Sequence, residues 1–129
     1  MARPVSTQPT EVELQILGVL WDLGPSTVRQ VHDALAKQRD TGYSTTLKMM
    51  QVMLDKSLVR RNNAVRPQVY RAAKTKPHTQ VQMLDDLTQK VFGGSAKRLV
   101  MRMVSTGRLT PEEIAEIQRL AETAEGEQK

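Results

Sequence analysis

Ser44, Thr45, Thr46, Lys48 and Gln51 place three hydroxyls, an ammonium and an amide within eight residues. Carried on a helix, this set can read a DNA duplex. Short hydroxyls reach bases or phosphates, and threonine methyls meet the thymine methyl. Lys48 suits guanine or a phosphate, and Gln51 presents its amide to adenine. The bland alternative for each is a solvated helix surface. Arg60, Arg61 and Arg66 follow closely in the chain. They suit backbone or minor-groove contacts, or else a charged strand edge that discourages aggregation. Thr27 and Arg29 stand at a helix start, where free amides and the helix dipole favour an anion. Capping alone accounts for Thr27 equally well.

Chemistry of other kinds finds little support. His32 and His78 are far apart, and neither has a nucleophile or a metal-ligand pattern beside it. His32 neighbours Asp33, which points elsewhere around the helix. Gly93-Gly94 lies between helices and reads as a break, not a phosphate loop. With no cysteine, disulfides and thiolate sites are excluded, and a reducing cytoplasm is the expected compartment. No enzyme activity, cofactor or metal is expected. Apolar runs stay well short of the ~20 residues of a membrane span. Met1–Gln8 has no hydrophobic signal region, so no export is expected.

The elements that must position these residues can be traced in order. Residues 1–9, polar with two prolines, read as a flexible arm. Thr10 and Glu13 form a capping box, and the first helix runs to about Leu23. Its stripe is Leu14, Leu17 and Trp21, widened by Ile16 and Leu20. Gly24 stops it and Pro25 prevents resumption. Thr27 with Gln30 caps a second helix whose buried stripe is Val28, Val31 and Leu35. Ser44 is expected to cap a third helix, roughly Thr45 to Ser57. Two stripes compete there. One is Leu47, Met50, Leu54 and Leu58; the other is Thr46, Met49, Met50 and Met53. Pattern alone does not choose between them. Two β-capable runs, Leu58–Arg61 and Gln68–Arg71, flank a loop with Asn-Asn and a proline, which reads as a hairpin with a basic tip. Three helices and a hairpin over residues 10–76 form a mainly α, winged helix-turn-helix arrangement. Alternation should send Arg60 and Arg61 to opposite faces.

Lys74–His78 reads as a connector to a second region, residues 77–125. A fourth helix, about Thr79 to Phe92, carries Val81, Leu84, Leu87 and Val91 on one face. Ser95 caps a fifth, about Ala96 to Ser105, with Leu99, Val100, Met103 and Val104. Thr110-Pro111-Glu112-Glu113 opens a sixth: an N-cap, proline at the first position and glutamate at the third. Ile114, Ile117, Leu120, Ala121 and Ala124 form its seam. Residues 126–129 should fray. These helices have little sheet to cover, and a symmetry mate offering the same faces is the simplest partner. Folding back on the winged domain is the alternative.

Charge divides along the same line. Residues 1–76 carry a net +6 and residues 77–129 a net −1. A basic half beside a near-neutral half suits a polyanion-binding module joined to something else.

The order of these motifs resembles the penicillinase repressor family of the BlaI/MecI/CopY type. Thr10-Glu11-Val12-Glu13 through Leu20-Trp21, with Gly24 and Thr27-Val28, is similar to the family's start. Tyr43-Ser44-Thr45-Thr46-Leu47, Asp55 to Arg61, Val69-Tyr70-Arg71-Ala72, Phe92-Gly93-Gly94 and Leu99 to Leu109 continue the likeness over about residues 9–123. The resemblance implies a homodimeric repressor whose winged domains each take half of a palindromic operator while the C-terminal helices interlock. It also favours the Thr46, Met49, Met50, Met53 stripe as buried, leaving Ser44, Thr45, Lys48, Gln51 and Val52 toward the groove. Val52 stands where the family often carries a basic residue. The family's Asn-Phe cleavage pair corresponds to Arg102-Met103 here, and the cysteines of copper-responsive relatives are missing. A winged-helix protein-interaction module without specific DNA binding is the competing reading; the charge of residues 1–76 and the Ser44-Thr45-Thr46 helix start weigh against it.

Overall fold

The computed structural model describes residues 8–127, so most of the expected N-terminal arm and the last two residues of the tail lie outside the described residues. The first elements are α1 (Glu11–Leu23), β1 (Ser26–Thr27), α2 (Val28–Leu35), α3 (Tyr43–Asp55), β2 (Val59–Asn62) and β3 (Val69–Ala72). Then come α4 (Lys76–Val91), α5 (Ala96–Ser105) and α6 (Pro111–Glu127). Two compact units result, one reaching to Met83 and one starting at Leu84.

In the first unit, side-chain caps set where two helices begin. Thr10 accepts from the Glu13 amide, and Glu13 Oε1 accepts from the Thr10 amide at 2.9 Å. Thr27 and Gln30 repeat this reciprocal arrangement on α2. Each pair supplies acceptors for amides that the helix leaves without an intrahelical partner. Gly24 ends α1 at φ 81°, a region that a Cβ disfavours. Its amide donates to the Leu20 carbonyl at 2.8 Å.

The core gathers Ile16, Leu17, Val19 and Leu20 of α1, Val28, Val31 and Leu35 of α2, Met50 and Met53 of α3, and Val59 and Tyr70 of the sheet. The buried face of α1 is therefore rotated from the expected stripe, with Leu14 and Trp21 only half-buried. Trp21 stays at the margin because its indole N–H donates to the Lys74 carbonyl at 3.0 Å. On α3, Thr46, Met50 and Met53 are buried, while Leu47 and Leu54 are partly covered. The methionine stripe is the one that faces inward.

Three expectations need correction. Ser44 does not cap α3. The cap is Gly42, without a side-chain hydrogen bond, and the helix starts at Tyr43. The Thr46 amide reaches the Gly42 carbonyl at 3.1 Å, so the first turn closes two residues earlier than expected. The connector Lys74–His78 is largely helical. Thr75 Oγ1 accepts from the His78 amide at 3.3 Å and starts α4 at Lys76. Pro77 fits that first turn, where a missing N–H costs nothing. The hairpin also gains a third strand, with antiparallel order β1-β3-β2. Ser26 faces Tyr70 and Thr27 faces Val69, so β1 ties the start of α2 to the wing.

In the second unit, Ser95 caps α5 through the Arg98 amide, and Thr110 with Glu113 caps α6. Gly93 and Gly94 take φ of 59° and 83° between α4 and α5. The α6 helix continues through Gly126 to Glu127, past the expected fraying point.

Candidate nucleic-acid interface

The exposed face of α3 carries Ser44, Thr45, Lys48, Gln51 and Val52. Ser44 and Thr45 are free of capping work because Gly42 takes that position. Thr46 does not join them. It is 1% exposed, and its hydroxyl lies 3.3 Å from the Gly42 carbonyl and 3.1 Å from His32 Nδ1. Its place in the contact set is withdrawn: a threonine three residues into the helix points at α2, not at solvent. The face carries no carboxylate before Asp55.

Beside α3 stands the start of α2. The Arg29 guanidinium lies 4.4 Å over the Tyr43 ring, a cation–π pairing. On the same ring, His32 makes an edge contact at 5.7 Å and 82°. Arg29 and His32 are three apart on α2 and so share a face. Together they hold the α3 N-terminus through Tyr43 and Thr46. His32 thus packs against Tyr43 and Thr46. Thr27 is half-buried, with hydroxyl and amide both occupied in its capping box. Arg29 is exposed and available to a ligand.

The wing borders the same region. Arg61 is half-buried opposite Tyr70, whereas Arg60 is exposed opposite Arg71. The two arginines do face opposite ways. A groove runs between α2, α3 and the wing, lined by Arg29, Tyr43, Gln51, Arg61, Pro67 and Gln68 among others, with no carboxylate. Arg61 Nε is buried there without a hydrogen-bond partner. Arg66 is exposed at the tip, with Nη1 3.4 Å from the Asn63 carbonyl. The tip is ordered by Asn62 Oδ1 accepting from the Ala64 amide at 2.9 Å and by Gln68 donating to Asn63 Oδ1 at 3.0 Å.

Sequence reasoning missed Tyr43, Gln68 and Arg71. Tyr43 had a signal: an aromatic beside the Ser-Thr-Thr run, with Arg29 and His32 at helical spacing. Arg71 becomes visible only once the hairpin register pairs it with Arg60.

Of the residues expected to dimerise, Leu84, Leu87, Val91, Val100, Met103, Val104, Ile117 and Leu120 are exposed, and Leu99 and Ile114 are half-buried. The α5 helix buries none of its residues in the single chain. Among the described residues no cluster of His, Asp or Glu is fit to hold a metal, and no helix is long and apolar enough to cross a membrane.

The family model described as penicillinase repressor matches residues 9–123. The chain belongs to the penicillinase repressor family. That family is one of repressors, not a class of enzymes. The transcriptional regulator BlaI of Mycobacterium tuberculosis, in the CDC 1551 / Oshkosh and the ATCC 25618 / H37Rv strains, is 39% identical over 54 residues. The match takes in 41% of this chain and 39% of that protein, so the chain spans well under half the length of these relatives. A MarR family transcriptional regulator from Silicibacter pomeroyi DSS aligns over 90% of this chain and 69% of its own, at TM-score 0.42 and 20% identity.

Proposed function

We propose that this penicillinase repressor family member is a cytoplasmic transcriptional repressor that binds double-stranded DNA as a homodimer on a palindromic operator. The observation that carries the reading is the exposed face of α3, without a carboxylate from Ser44 to Leu54, beside a groove lined by both Arg29 and Arg61. In a helix-turn-helix the recognition helix lies in the major groove with its N-terminal residues nearest the bases. Ser44, Thr45 and Lys48 occupy that position, with Gln51 one turn further on. Arg29, Arg60, Arg61 and Arg66 supply the phosphate contacts that dominate affinity and fix orientation. The apolar residues left exposed on α4, α5 and α6 supply the surface for a second copy.

The deciding experiment maps protected DNA across the chain's own upstream region and then titrates binding against salt. A palindrome with half-sites one helical turn or a multiple apart is expected. Lys48→Ala should weaken binding about tenfold, the effect of losing one direct base or phosphate contact. Arg66→Ala should also weaken it and should flatten the slope of log affinity against log salt by about 0.9, one phosphate's share. If both variants bind like the parent throughout the titration, this face is not the interface. If the parent protects no duplex at all, the reading as a protein-interaction module takes its place.

A further inference from the structure

Resting on the DNA-binding reading, we infer that Arg71 of β3 joins Arg60 of β2 in a cross-strand clamp that holds a single DNA backbone phosphate. The register places the two arginines directly opposite each other, and both are exposed. They stand on the face of the sheet opposite to Val59 and Tyr70, which are buried in the core. Directly opposed side chains in an antiparallel pair have Cβ atoms about 4.5–5.5 Å apart, and like charges in that position destabilise the sheet. The hairpin itself offers no counter-charge. From Val59 to Ala72 the chain holds four arginines and no carboxylate. Among the described residues neither guanidinium has an ion pair or a side-chain hydrogen bond. Arg60 and Arg71 share a shallow hollow with Pro25, Arg61, Asn62 and Val69.

An unrelieved pair of this kind is what an anion site looks like before its anion arrives. Two guanidinium forks on long, flexible stems can converge on the non-bridging oxygens of one phosphate, each donating two N–H bonds in the geometry that such oxygens accept. The bound phosphate removes the repulsion that the free protein carries. The clamp thus extends the contact surface from α3 onto the outer face of the wing, and adds a residue that the tip arginine, Arg66, does not account for.

The pair makes a prediction of opposite signs. Arg71→Gln should raise the melting temperature of the DNA-free protein by about 1–3 °C, because it relieves a like-charge contact. The same substitution should weaken binding to the mapped operator duplex about tenfold at 0.1 M salt and lower the salt slope by about 0.9. Arg60→Gln should do the same. The double variant should lose little beyond either single one, with a slope still lowered by only one phosphate, since both side chains serve one anion. Fluorescence anisotropy from 50 to 200 mM salt and a thermal melt read all four proteins. Binding of Arg71→Gln at parent affinity and parent slope overturns the inference. So do additive losses with a slope lowered by two phosphates, which would mean separate contacts. If Lys48→Ala weakens binding while Arg71→Gln does not, the recognition helix stands and only the clamp falls. If the parent binds no duplex, the DNA-binding reading itself is what failed.

Discussion

Glu13→Ala is expected to lower the stability of the winged domain by about 2–4 kcal/mol, which for a domain of this size is a fall in melting temperature of about 10–25 °C. Glu13 is 1% exposed. One oxygen, Oε1, serves two tasks. It accepts from the Thr10 amide at 2.9 Å, and it pairs with Lys56 Nζ at 2.8 Å. The first holds the start of α1. The second ties α1 to Lys56, the residue that ends α3. Truncation leaves an orphan amide and an ammonium, 17% exposed at its side chain, without its counter-charge. The residual exposure of Lys56 puts the cost below that of a fully buried pair. Lys56→Met should also be costly, since it leaves the buried Glu13 carboxylate without its counter-charge. Burial pushes the Glu13 carboxyl up, but the hydrogen bond and charge of Lys56 and the Thr10 cap outweigh it, and the carboxyl lies below the ordinary value of 4.5. A depressed carboxylate stabilises the fold above its unfolded value and loses that contribution as pH falls through the folded one. The parent should therefore lose stability below about pH 4.5, and a Glu13→Gln variant should lose less over the same interval. Thermal melts by circular dichroism from pH 3 to 7 measure both. Equal melting temperatures for parent and Glu13→Ala at pH 7 would remove this pair from the account.

Glu13 also shows what a sequence makes legible. Thr10-x-x-Glu13 announces a capping box locally, and it is found there; Thr27-x-x-Gln30 and Thr110-x-x-Glu113 behave likewise. The partner 43 residues away, Lys56, has no such local signature. The same divide runs through the interface. The existence of a helix carrying Ser44 and Thr45 and the alternation of Arg60 and Arg61 follow from short-range periodicity. Three features do not. The true cap at Gly42 arises because Thr46 turns inward to His32, a tertiary contact that overrides the cap propensity of Ser44. The strand at Ser26–Thr27 is two residues long, too short for any alternation to show, and exists only because β3 offers it an edge. The choice between two stripes on α3 depends on which way the helix rolls. Met50 belongs to both, so the roll is decided by the other members: small, polar Thr46 fits the close approach of α2, and flexible Met53 fills the space beneath it.

Leu87→Asp and Leu120→Asp should leave each chain folded and yet reduce operator affinity by a factor of 100 or more. The argument is one of exposure. Leu87 and Leu120 are 45% and 64% exposed in the single chain. A charge there reaches water in the single chain and lies outside the core of the winged domain, so that domain's melting temperature should be unchanged within error. A second copy seated on that face would have to bury the carboxylate without a partner, at a cost that dissociates it. Each monomer would then hold one half-site without the effective concentration that its twin confers. Sedimentation equilibrium at micromolar protein should give twice 14.5 kDa for the parent and 14.5 kDa for the variants. The two losses should also arise together, and a single half-site duplex should bind parent and variants alike, because the α3 face is untouched. A parent that sediments as a monomer while still covering a full palindrome would detach operator recognition from the C-terminal helices. Parent-like mass for both variants would place the self-association surface elsewhere on α4, α5 and α6, where Val91, Val100 and Met103 offer the next exposed apolar groups.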